Sequence, residues 1–239
     1  MNNKPVIYIF AGPNGSGKST ITEAFLNETS SIPSVYINAD EIKKSEGITD
    51  IEAFNKANLL RQSCLKNKIS FSTETVFSHP SKLDFMLEAK KIGFHVNLIF
   101  VTTFNSQINV TRVADRVLKG GHDVPQDKIL QRHKRSNELM PKAIAIADSA
   151  RVYNNTLECP VLILKKQDDE ITIYPQPTPS KWTTDKLNFI INEVKEYKNE
   201  IDKIRNKEST LSKLEKAREK AASINTSKSV KLKNNNLEK

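Results

Sequence analysis

The feature that most constrains this chain is a glycine-rich segment near its amino terminus. Residues 12–19 match the pattern G-x-x-x-x-G-K-[ST] at every required position, after a short apolar run and before a helical pattern. Glycines allow positive φ, so successive N–H groups can face a phosphate, and the dipole of the following helix points at the same anion. The pattern predicts a nucleotide-binding phosphate loop made of Gly12, Pro13, Asn14, Gly15, Ser16, Gly17, Lys18, Ser19 and Thr20.

Two side chains of this loop carry specific chemical expectations. Lys18 is expected to reach the β- and γ-phosphates of ATP, and the Ser19 hydroxyl is expected to coordinate Mg²⁺. The alternative, a glycine-rich turn that arose by chance, is disfavoured by the strand and helix patterns on either side. We therefore predict ATP and Mg²⁺ as the cofactors.

From Pro5 to Tyr174 the chain alternates short apolar runs with longer amphipathic stretches, which is typical of βαβ units. We therefore predict an α/β fold with a mainly parallel sheet flanked by helices. The predicted strands are 6–11, 35–38, 69–74, 94–103, 161–165 and 171–174, and the predicted helices are 18–27, 50–67, 81–92, 106–118 and 126–148. Within helix 50–67 the candidate buried positions are Ile51, Phe54, Leu59 and Leu65.

Composition and charge favour an ordinary soluble protein of the cytoplasm. Hydrophobic residues make up 37% and charged residues 27% of the chain. No stretch approaches the roughly 20 apolar residues that a membrane-spanning helix needs, and the first apolar run is too short for a signal peptide. The net charge is +9, but residues 183–239 hold 14 Lys and Arg against 9 Asp and Glu, and this excess is spread along a charged helix rather than concentrated with aromatic residues. We expect neither a membrane nor a nucleic-acid partner.

Two carboxylates follow predicted strands, where parallel sheets build their sites. A kinase needs a carboxylate near the acceptor hydroxyl, to take its proton and hold it in line with the γ-phosphate, and Asp40 is the candidate. The alternative for Asp40 is a helix N-cap. Glu74, with Thr75 beside it, is the candidate for binding the acceptor or supporting Mg²⁺; the alternative is a polar strand end. Glu41 is expected to point elsewhere.

A cluster of arginines surrounds a glycine hinge at residues 119–125. Arg112 and Arg116 lie one helical turn apart before the hinge, and Arg132 and Arg135 follow on the next helix. Two helices that meet at such a hinge predict a lid whose guanidinium groups neutralise the transferring phosphate, with Arg116 as the leading candidate. A solvated basic surface is the alternative.

Together these segments resemble the zeta toxin family. The resemblance covers about residues 5–182 and rests on the phosphate loop, on Asn38-Ala39-Asp40-Glu41, on Thr73-Glu74-Thr75, and on the segment from Arg116 to Pro125. It implies a P-loop kinase fold. In the best-known members it also implies ATP-dependent phosphorylation of UDP-N-acetylglucosamine, a nucleotide sugar, and an antitoxin that holds the kinase in check.

The resemblance also assigns roles to individual residues. It implies that Asp40 activates the acceptor, that Glu74 binds it, and that Lys18 contacts the phosphates. Arg116, Arg132 and Arg135 match arginines of the family's lid. One departure concerns the acceptor side: Thr75-Val76 stands where the large toxins have Gly-Thr.

Two other functions remain open from the sequence. One is a kinase of a different small molecule, such as a nucleoside, an antibiotic or a metabolite, that uses the same apparatus. The other is a non-catalytic, ATP-dependent interaction module. Asp40 distinguishes the classes, because a switch that hydrolyses ATP slowly does not need an acceptor base.

The sequence changes character after Pro179, the last proline or glycine in the chain. We predict a kinase domain over 1–182 and a charged, amphipathic helical extension over 183–239 that is disordered beyond about residue 223. Apolar residues recur at three- and four-residue spacing over about 183–214, and such a face needs a partner. The kinase domain, a second copy of the chain and an antitoxin are the three candidates, with Trp182 and Phe189 as anchors to the kinase domain.

Overall fold

The computed structural model describes residues 4–28, 32–175 and 181–234. Its helices are α1 Lys18–Glu28, α2 Ala39–Glu46, α3 Asp50–Lys66, α4 Ser81–Ile92, α5 Ser106–Leu118, α6 Gln126–Ile146 and α7 Lys181–Asn234. Its strands are β1 Val6–Ala11, β2 Tyr36–Ile37, β3 Phe71–Thr75, β4 His95–Thr102, β5 Ser149–Asn154, β6 Val161–Gln167 and β7 Glu170–Ile173.

The described strands form one seven-stranded sheet in the order β2-β3-β1-β4-β5-β6-β7. The first five strands of that order are mutually parallel, whereas β6 and β7 are antiparallel to their neighbours. Only Asp168 and Asp169 separate β6 from β7, a connection too short for a parallel crossover, and Asp168 takes a φ of 52° in that turn. The prediction of an α/β fold with a mainly parallel sheet is confirmed.

Helix α1 is fixed to the sheet by an apolar cluster directly behind the phosphate loop. Phe10 of β1 and Ile21 of α1 are buried together with Ile99 and Val101 of β4. Phe25 adds an edge-to-face contact with Phe10, at 5.9 Å between ring centroids. This packing holds the first turn of α1, which begins at Lys18, against the carboxyl ends of the central strands.

Two elements were missed by the sequence analysis. The predicted helix over 126–148 ends at Ile146, and the strand β5 follows at once. Strand β5 alternates half-buried and buried residues, and its polar members, such as Arg151 and Asn154, concealed the strand pattern. Helix α2 was also missed, because it is only eight residues long and none of its residues is buried.

The buried face of α3 also differs from the prediction. Ile51, Phe54 and Leu59 are 73%, 49% and 72% exposed, so three of the four predicted core positions are wrong and only Leu65 is buried. The residues that face inward are instead Ala53, Ala57, Arg61, Cys64 and Leu65. Small residues at two of these positions let the helix approach its neighbours closely, an advantage that a pattern of large apolar residues does not reveal.

The carboxyl-terminal helix α7 begins in one compact unit and continues in another. The chain divides into Met1–Val194 and Lys195–Lys239. In the first unit Leu187, Ile190 and Val194 of α7 are buried, whereas Phe189 is 60% exposed. The first turns of α7 therefore pack within the first unit, which was one of the three predicted arrangements, and Phe189 is not the anchor. The Trp182 side chain lies outside the described part of the structure.

Helix α7 extends to Asn234, where the sequence analysis expected disorder from about residue 223. No glycine or proline interrupts the chain beyond Pro179, so nothing in the backbone chemistry ends the helix earlier. Among the described residues, none of the helices combines the length and the apolar character that a membrane-spanning segment requires.

The packing of α7 predicts unequal effects for two neighbouring residues. Ile190→Ala should lower the free energy of unfolding by about 2–5 kcal/mol, because it leaves a cavity at a buried site. Phe189→Ala should change it by no more than about 0.5 kcal/mol, because that side chain is largely exposed. Urea unfolding of the full-length variants measures both, and equal effects would contradict the packing of α7 within the first unit.

Candidate active site

The phosphate loop takes a backbone path that only glycine permits at its ends. Gly12 has a φ of 143°, and a Cβ there would lie 2.0 Å from the Val101 carbonyl oxygen. Gly17 has a φ of 88°, and a Cβ there would lie 2.2 Å from the side-chain nitrogen of Asn155. Both glycines of the motif are thus required by close neighbours as well as by φ.

Two asparagines, the buried Asn109 and the half-buried Asn155, hold the phosphate loop from two sides. Asn109 of α5 donates to the Asn14 carbonyl oxygen at 2.6 Å, and its own side-chain oxygen accepts from the Thr103 hydroxyl. Asn155, which follows β5, donates to the Ser16 carbonyl oxygen at 2.8 Å. Sequence reasoning missed both asparagines, because the contacts join residues 95 and 139 positions apart. They fix the loop's shape before any ligand binds.

Lys18 is the electrostatic centre of the site. Its side chain is buried, and its ammonium donates to the Pro13 carbonyl oxygen at 3.0 Å. Burial lowers the pKa of Lys18; the Glu74 and Asp40 carboxylates act to raise that pKa, and the Arg116 and Arg132 guanidinium groups act to lower it. Four of the residues singled out from the sequence therefore lie within electrostatic reach of this one ammonium.

Glu74 at the end of β3 is tied to the phosphate loop's helix and to β2. Its carboxylate accepts hydrogen bonds from Ser19 at 3.0 Å, from Thr22 at 3.1 Å and from the Tyr36 hydroxyl at 3.3 Å. Tyr36 in turn accepts from Asn38 at 3.0 Å. Burial and then the Glu74 carboxylate raise the pKa of Tyr36, so its hydroxyl stays protonated and donates. Thr22 and Tyr36 were not found from the sequence.

The first turn of α2 presents two carboxylates. Asn38, and not Asp40, is the N-cap of this helix, because its side chain accepts from the Asp40 backbone N–H at 3.0 Å. The Asp40 carboxylate is exposed and is not used for capping. Burial and then the Glu74 carboxylate raise the pKa of Glu41, which is exposed on the same turn.

The four arginines of the predicted lid are placed differently. Arg132 donates to the Asn14 side-chain oxygen at 3.2 Å, and Arg116 donates to the His122 carbonyl oxygen at 2.6 Å. Arg112 instead donates to the carbonyl oxygens of Asn155 and Leu157, at 2.7 and 3.2 Å.

Arg112 therefore holds the segment after β5 in place. Of the four arginines, Arg116 and Arg132 are the ones whose charges lower the pKa of Lys18. Arg135 is exposed on α6, three residues beyond Arg132. The structure thus brings two of the four predicted arginines to the phosphate lysine.

The residues present suit a magnesium nucleotide. The Ser19 hydroxyl and the Glu74 carboxylate supply adjacent oxygen donors, which Mg²⁺ prefers, and Mg²⁺ commonly binds through one or two protein groups together with phosphates. The Ser16 hydroxyl is buried in the phosphate loop and has no hydrogen-bond partner among the described residues. A phosphate oxygen would satisfy such a group.

Lys18 provides the first test of the site. Lys18→Ala should leave the fold intact, because the one hydrogen bond that its side chain makes within the described part of the chain is to the Pro13 carbonyl oxygen of its own loop. It should lower the rate of phosphate transfer from ATP by at least about 10²–10³-fold, the cost of removing one charge-stabilising donor. Lys128→Ala, which changes an exposed lysine of α6, is the control. A correctly folded Lys18→Ala variant with the wild-type transfer rate would show that the loop is not the phosphate site.

Comparisons with known proteins identify the family of this chain and proteins of similar fold. The family model for Zeta toxin matches residues 1–178. An uncharacterized protein of Haemophilus influenzae is 33% identical over 138 residues, which is 56% of this chain and 94% of the relative. The structure of AvrRxo1-ORF1:-ORF2 with ATP aligns at 15% identity with a TM-score of 0.55, over 84% of this chain and 77% of that one.

A structure from the PezAT chromosomal toxin-antitoxin system of Streptococcus pneumoniae aligns at 14% identity with a TM-score of 0.49, over 82% of this chain and 88% of that one. The family match spans most of the chain and includes the phosphate loop, Asp40, Glu74 and the arginines of α5 and α6. The chain therefore belongs to the Zeta toxin family and is a nucleotide-binding P-loop kinase.

Proposed function

We propose that this chain is an ATP-dependent kinase that transfers the γ-phosphate to a hydroxyl group of a small acceptor. The observation that carries the proposal is the convergence of charged groups on Lys18: two carboxylates and two guanidinium groups act on its ammonium. Catalysis of phosphoryl transfer depends on positioning and on electrostatic stabilisation. This set of groups supplies both.

The cations and the magnesium donors have separate tasks. Ser19 would hold Mg²⁺, with Glu74 beside it. When bound, Mg²⁺ neutralises negative charge on the phosphate oxygens. Lys18, Arg116 and Arg132 offset the charge that remains, and the planar guanidinium groups can donate to two phosphate oxygens at once.

Asp40 is the proposed acceptor base. Its carboxylate is exposed, lies within electrostatic reach of Lys18, and is not committed to capping α2. It takes the proton of the acceptor hydroxyl while that oxygen bonds to the γ-phosphorus and the bond to the β–γ bridging oxygen breaks. The leaving group is ADP.

The acceptor that we propose is a nucleotide sugar, UDP-N-acetylglucosamine, contacted by Glu74 and Thr75. This proposal, and that of an antitoxin partner, rest on membership of the Zeta toxin family. A second candidate is a kinase of a smaller acceptor. It is favoured by the cavity beside Thr75, which encloses about 220 Å³, less than the roughly 300–1,000 Å³ of most ligand pockets.

Asp40→Asn tests the acceptor base. Turnover should fall by about 10²–10⁴-fold, because the base is lost, while the Kd for ATP stays nearly unchanged. Glu41→Gln, which alters the adjacent carboxylate of the same helix, should keep most of the activity. Calorimetry with ATP and an assay of ADP formation measure the two effects. A collapse of ATP binding in Asp40→Asn would make Asp40 a metal-site or structural residue instead.

Mass spectrometry tests the acceptor. Incubation with ATP, Mg²⁺ and UDP-N-acetylglucosamine should yield a nucleotide sugar heavier by one phosphate, and Lys18→Ala should yield none. If no such product forms while another metabolite stimulates ATP turnover, the smaller-acceptor candidate replaces the nucleotide sugar.

A further inference from the structure

The helix that carries Asp40 is weakly anchored by apolar packing. Helix α2 lies wholly within the described part of the chain, and none of its eight residues is buried. Two ion pairs between side chains that are 36% to 65% exposed join α2 to the first turns of α3: Lys43 with Asp50, and Lys56 with Glu46. Exposed ion pairs contribute little to stability, because water and salt screen them. The position of the Asp40 turn relative to the sheet therefore depends on other contacts.

A chain of hydrogen bonds joins the first turn of α2 to the sheet. The Asp40 backbone N–H donates to the Asn38 side-chain oxygen at 3.0 Å. The Asn38 side-chain nitrogen donates to the Tyr36 hydroxyl at 3.0 Å, and that hydroxyl donates to the Glu74 carboxylate at 3.3 Å. The same carboxylate accepts from the Ser19 hydroxyl at 3.0 Å. The chain therefore runs without a break from the proposed Mg²⁺ ligand to the backbone of the proposed acceptor base.

The short strand β2 places the Tyr36 hydroxyl where it can donate to Glu74. Tyr36 pairs with Ser72 in the parallel register, and Glu74 lies two residues beyond Ser72. Residues two apart on a strand point to the same face of a sheet, so the two side chains share a face. Burial and then the Glu74 carboxylate raise the pKa of Tyr36, so its hydroxyl remains protonated and can donate. Tyr36, Asn38 and Glu74 are half-buried, which partly shields their hydrogen bonds from water.

The amide side chain of Asn38 suits two tasks at once. Its oxygen caps α2, and its nitrogen donates to Tyr36. Asn, Asp and Ser cap helices about equally well. An Asp side chain, however, has no N–H to donate when it is ionised. A Ser side chain ends at its hydroxyl, one bond short of the Asn amide nitrogen. Capping alone therefore does not explain why an amide stands at this position.

We propose that Tyr36 and Asn38 are positioning residues of the phosphate transfer, which hold the Asp40 turn at a fixed place relative to Glu74 and the magnesium nucleotide. The inference rests on the proposed kinase function, in which Asp40 takes the acceptor's proton. Both residues act through others: Tyr36 through the Glu74 carboxylate, and Asn38 through the Asp40 backbone. Such alignment matters, because a misplacement of about 1 Å can cost about 10²-fold in rate.

Tyr36→Phe breaks the chain and keeps the aromatic ring. With UDP-N-acetylglucosamine as the acceptor, kcat should fall by about 10- to 100-fold, because the base is no longer held in line with the γ-phosphate. The KM for ATP should stay within about twofold of the wild-type value, because Lys18 and the N–H groups of the phosphate loop remain in place. Tyr8→Phe, at a half-buried tyrosine of β1, is the control and should leave kcat unchanged.

Asn38→Ser separates positioning from capping. Ser caps a helix about as well as Asn does, so α2 should remain folded. The link to Tyr36 is lost, so kcat should fall about as far as it does in Tyr36→Phe. If Asn38 only caps the helix, Asn38→Ser should instead keep the wild-type kcat. Thr49→Ala, which removes the N-cap of α3, is the control for lost capping: it should lower stability and leave kcat unchanged.

The double variant Tyr36→Phe/Asn38→Ser tests whether the two residues act as one unit. Its kcat should be no lower than that of the slower single variant, because either change already breaks the chain. Residues that act independently would instead multiply their separate losses. Such multiplication would overturn the chain as the cause of both effects.

Hydrogen exchange provides a readout that does not depend on catalysis. The Asp40 amide N–H is protected by its hydrogen bond to Asn38, and Asn38 is held in turn by its hydrogen bond to Tyr36. In Tyr36→Phe this amide should exchange about 2- to 10-fold faster, as expected for the loss of one supporting neutral hydrogen bond. Tyr8→Phe should leave the exchange rate unchanged. NMR of the full-length protein measures both rates.

The outcomes separate this inference from the proposed function. A wild-type kcat in Tyr36→Phe and Asn38→Ser would overturn the positioning role and leave the kinase function standing. A KM for ATP that rises as much as kcat falls would also overturn it, because the nucleotide site would then have changed. Absence of transfer to every acceptor by the wild type would sink the proposed function. Unchanged exchange of the Asp40 amide in Tyr36→Phe would overturn the chain itself.

Discussion

The Glu74 carboxylate joins the three parts of the molecule on which the site depends. It stands at the end of β3, accepts hydrogen bonds from Ser19 and Thr22 of α1, and accepts another from Tyr36 of β2. The parallel register of β3 beside β1 places Glu74 next to Phe10, just before the phosphate loop begins. Three hydrogen-bond donors compensate this carboxylate for its partly buried position. The donors are therefore held in fixed positions around one anion.

The charged groups around Lys18 suit a bound phosphate. Two carboxylates and two guanidinium groups surround the buried Lys18 ammonium, which is hydrogen-bonded to the Pro13 carbonyl oxygen of its own loop. A phosphate bound in the loop would offer Lys18 a charged acceptor in place of a neutral one, and charged hydrogen bonds are roughly twice as strong. The phosphate loop is thus built around a cation that an anionic substrate would complete.

The sequence pattern predicted those parts of the site that depend on short segments of the chain. The glycine motif defined the phosphate loop, and the positions of Asp40 and Glu74 after strands brought them to one edge of the sheet. It did not predict roles for Thr22, Tyr36, Asn109 or Asn155, because these roles depend on contacts between distant segments. It assigned Arg112 to the lid, whereas the structure uses this residue to brace the segment after β5.

The buried face of α3 shows a second limit of prediction from sequence pattern. Ile51 and Leu59 fit a buried pattern but are exposed, while Arg61 is buried in a position that composition argues against. Which face turns inward is decided by the neighbours, and these are set by the topology of the whole sheet. At Arg61 the Thr73 hydroxyl and the Asn58 side-chain oxygen accept hydrogen bonds from the guanidinium group, which offsets part of the cost of its burial.

The most direct test of this account is a crystal structure with a non-hydrolysable ATP analogue, Mg²⁺ and the proposed acceptor, UDP-N-acetylglucosamine. The account predicts that the Lys18 ammonium leaves the Pro13 carbonyl oxygen for the β- and γ-phosphates. It also predicts that the acceptor hydroxyl lies about 2.6–3.2 Å from the Asp40 carboxylate. A nucleotide bound away from the loop, or an acceptor hydroxyl out of reach of Asp40 with the γ-phosphate in place, would contradict it.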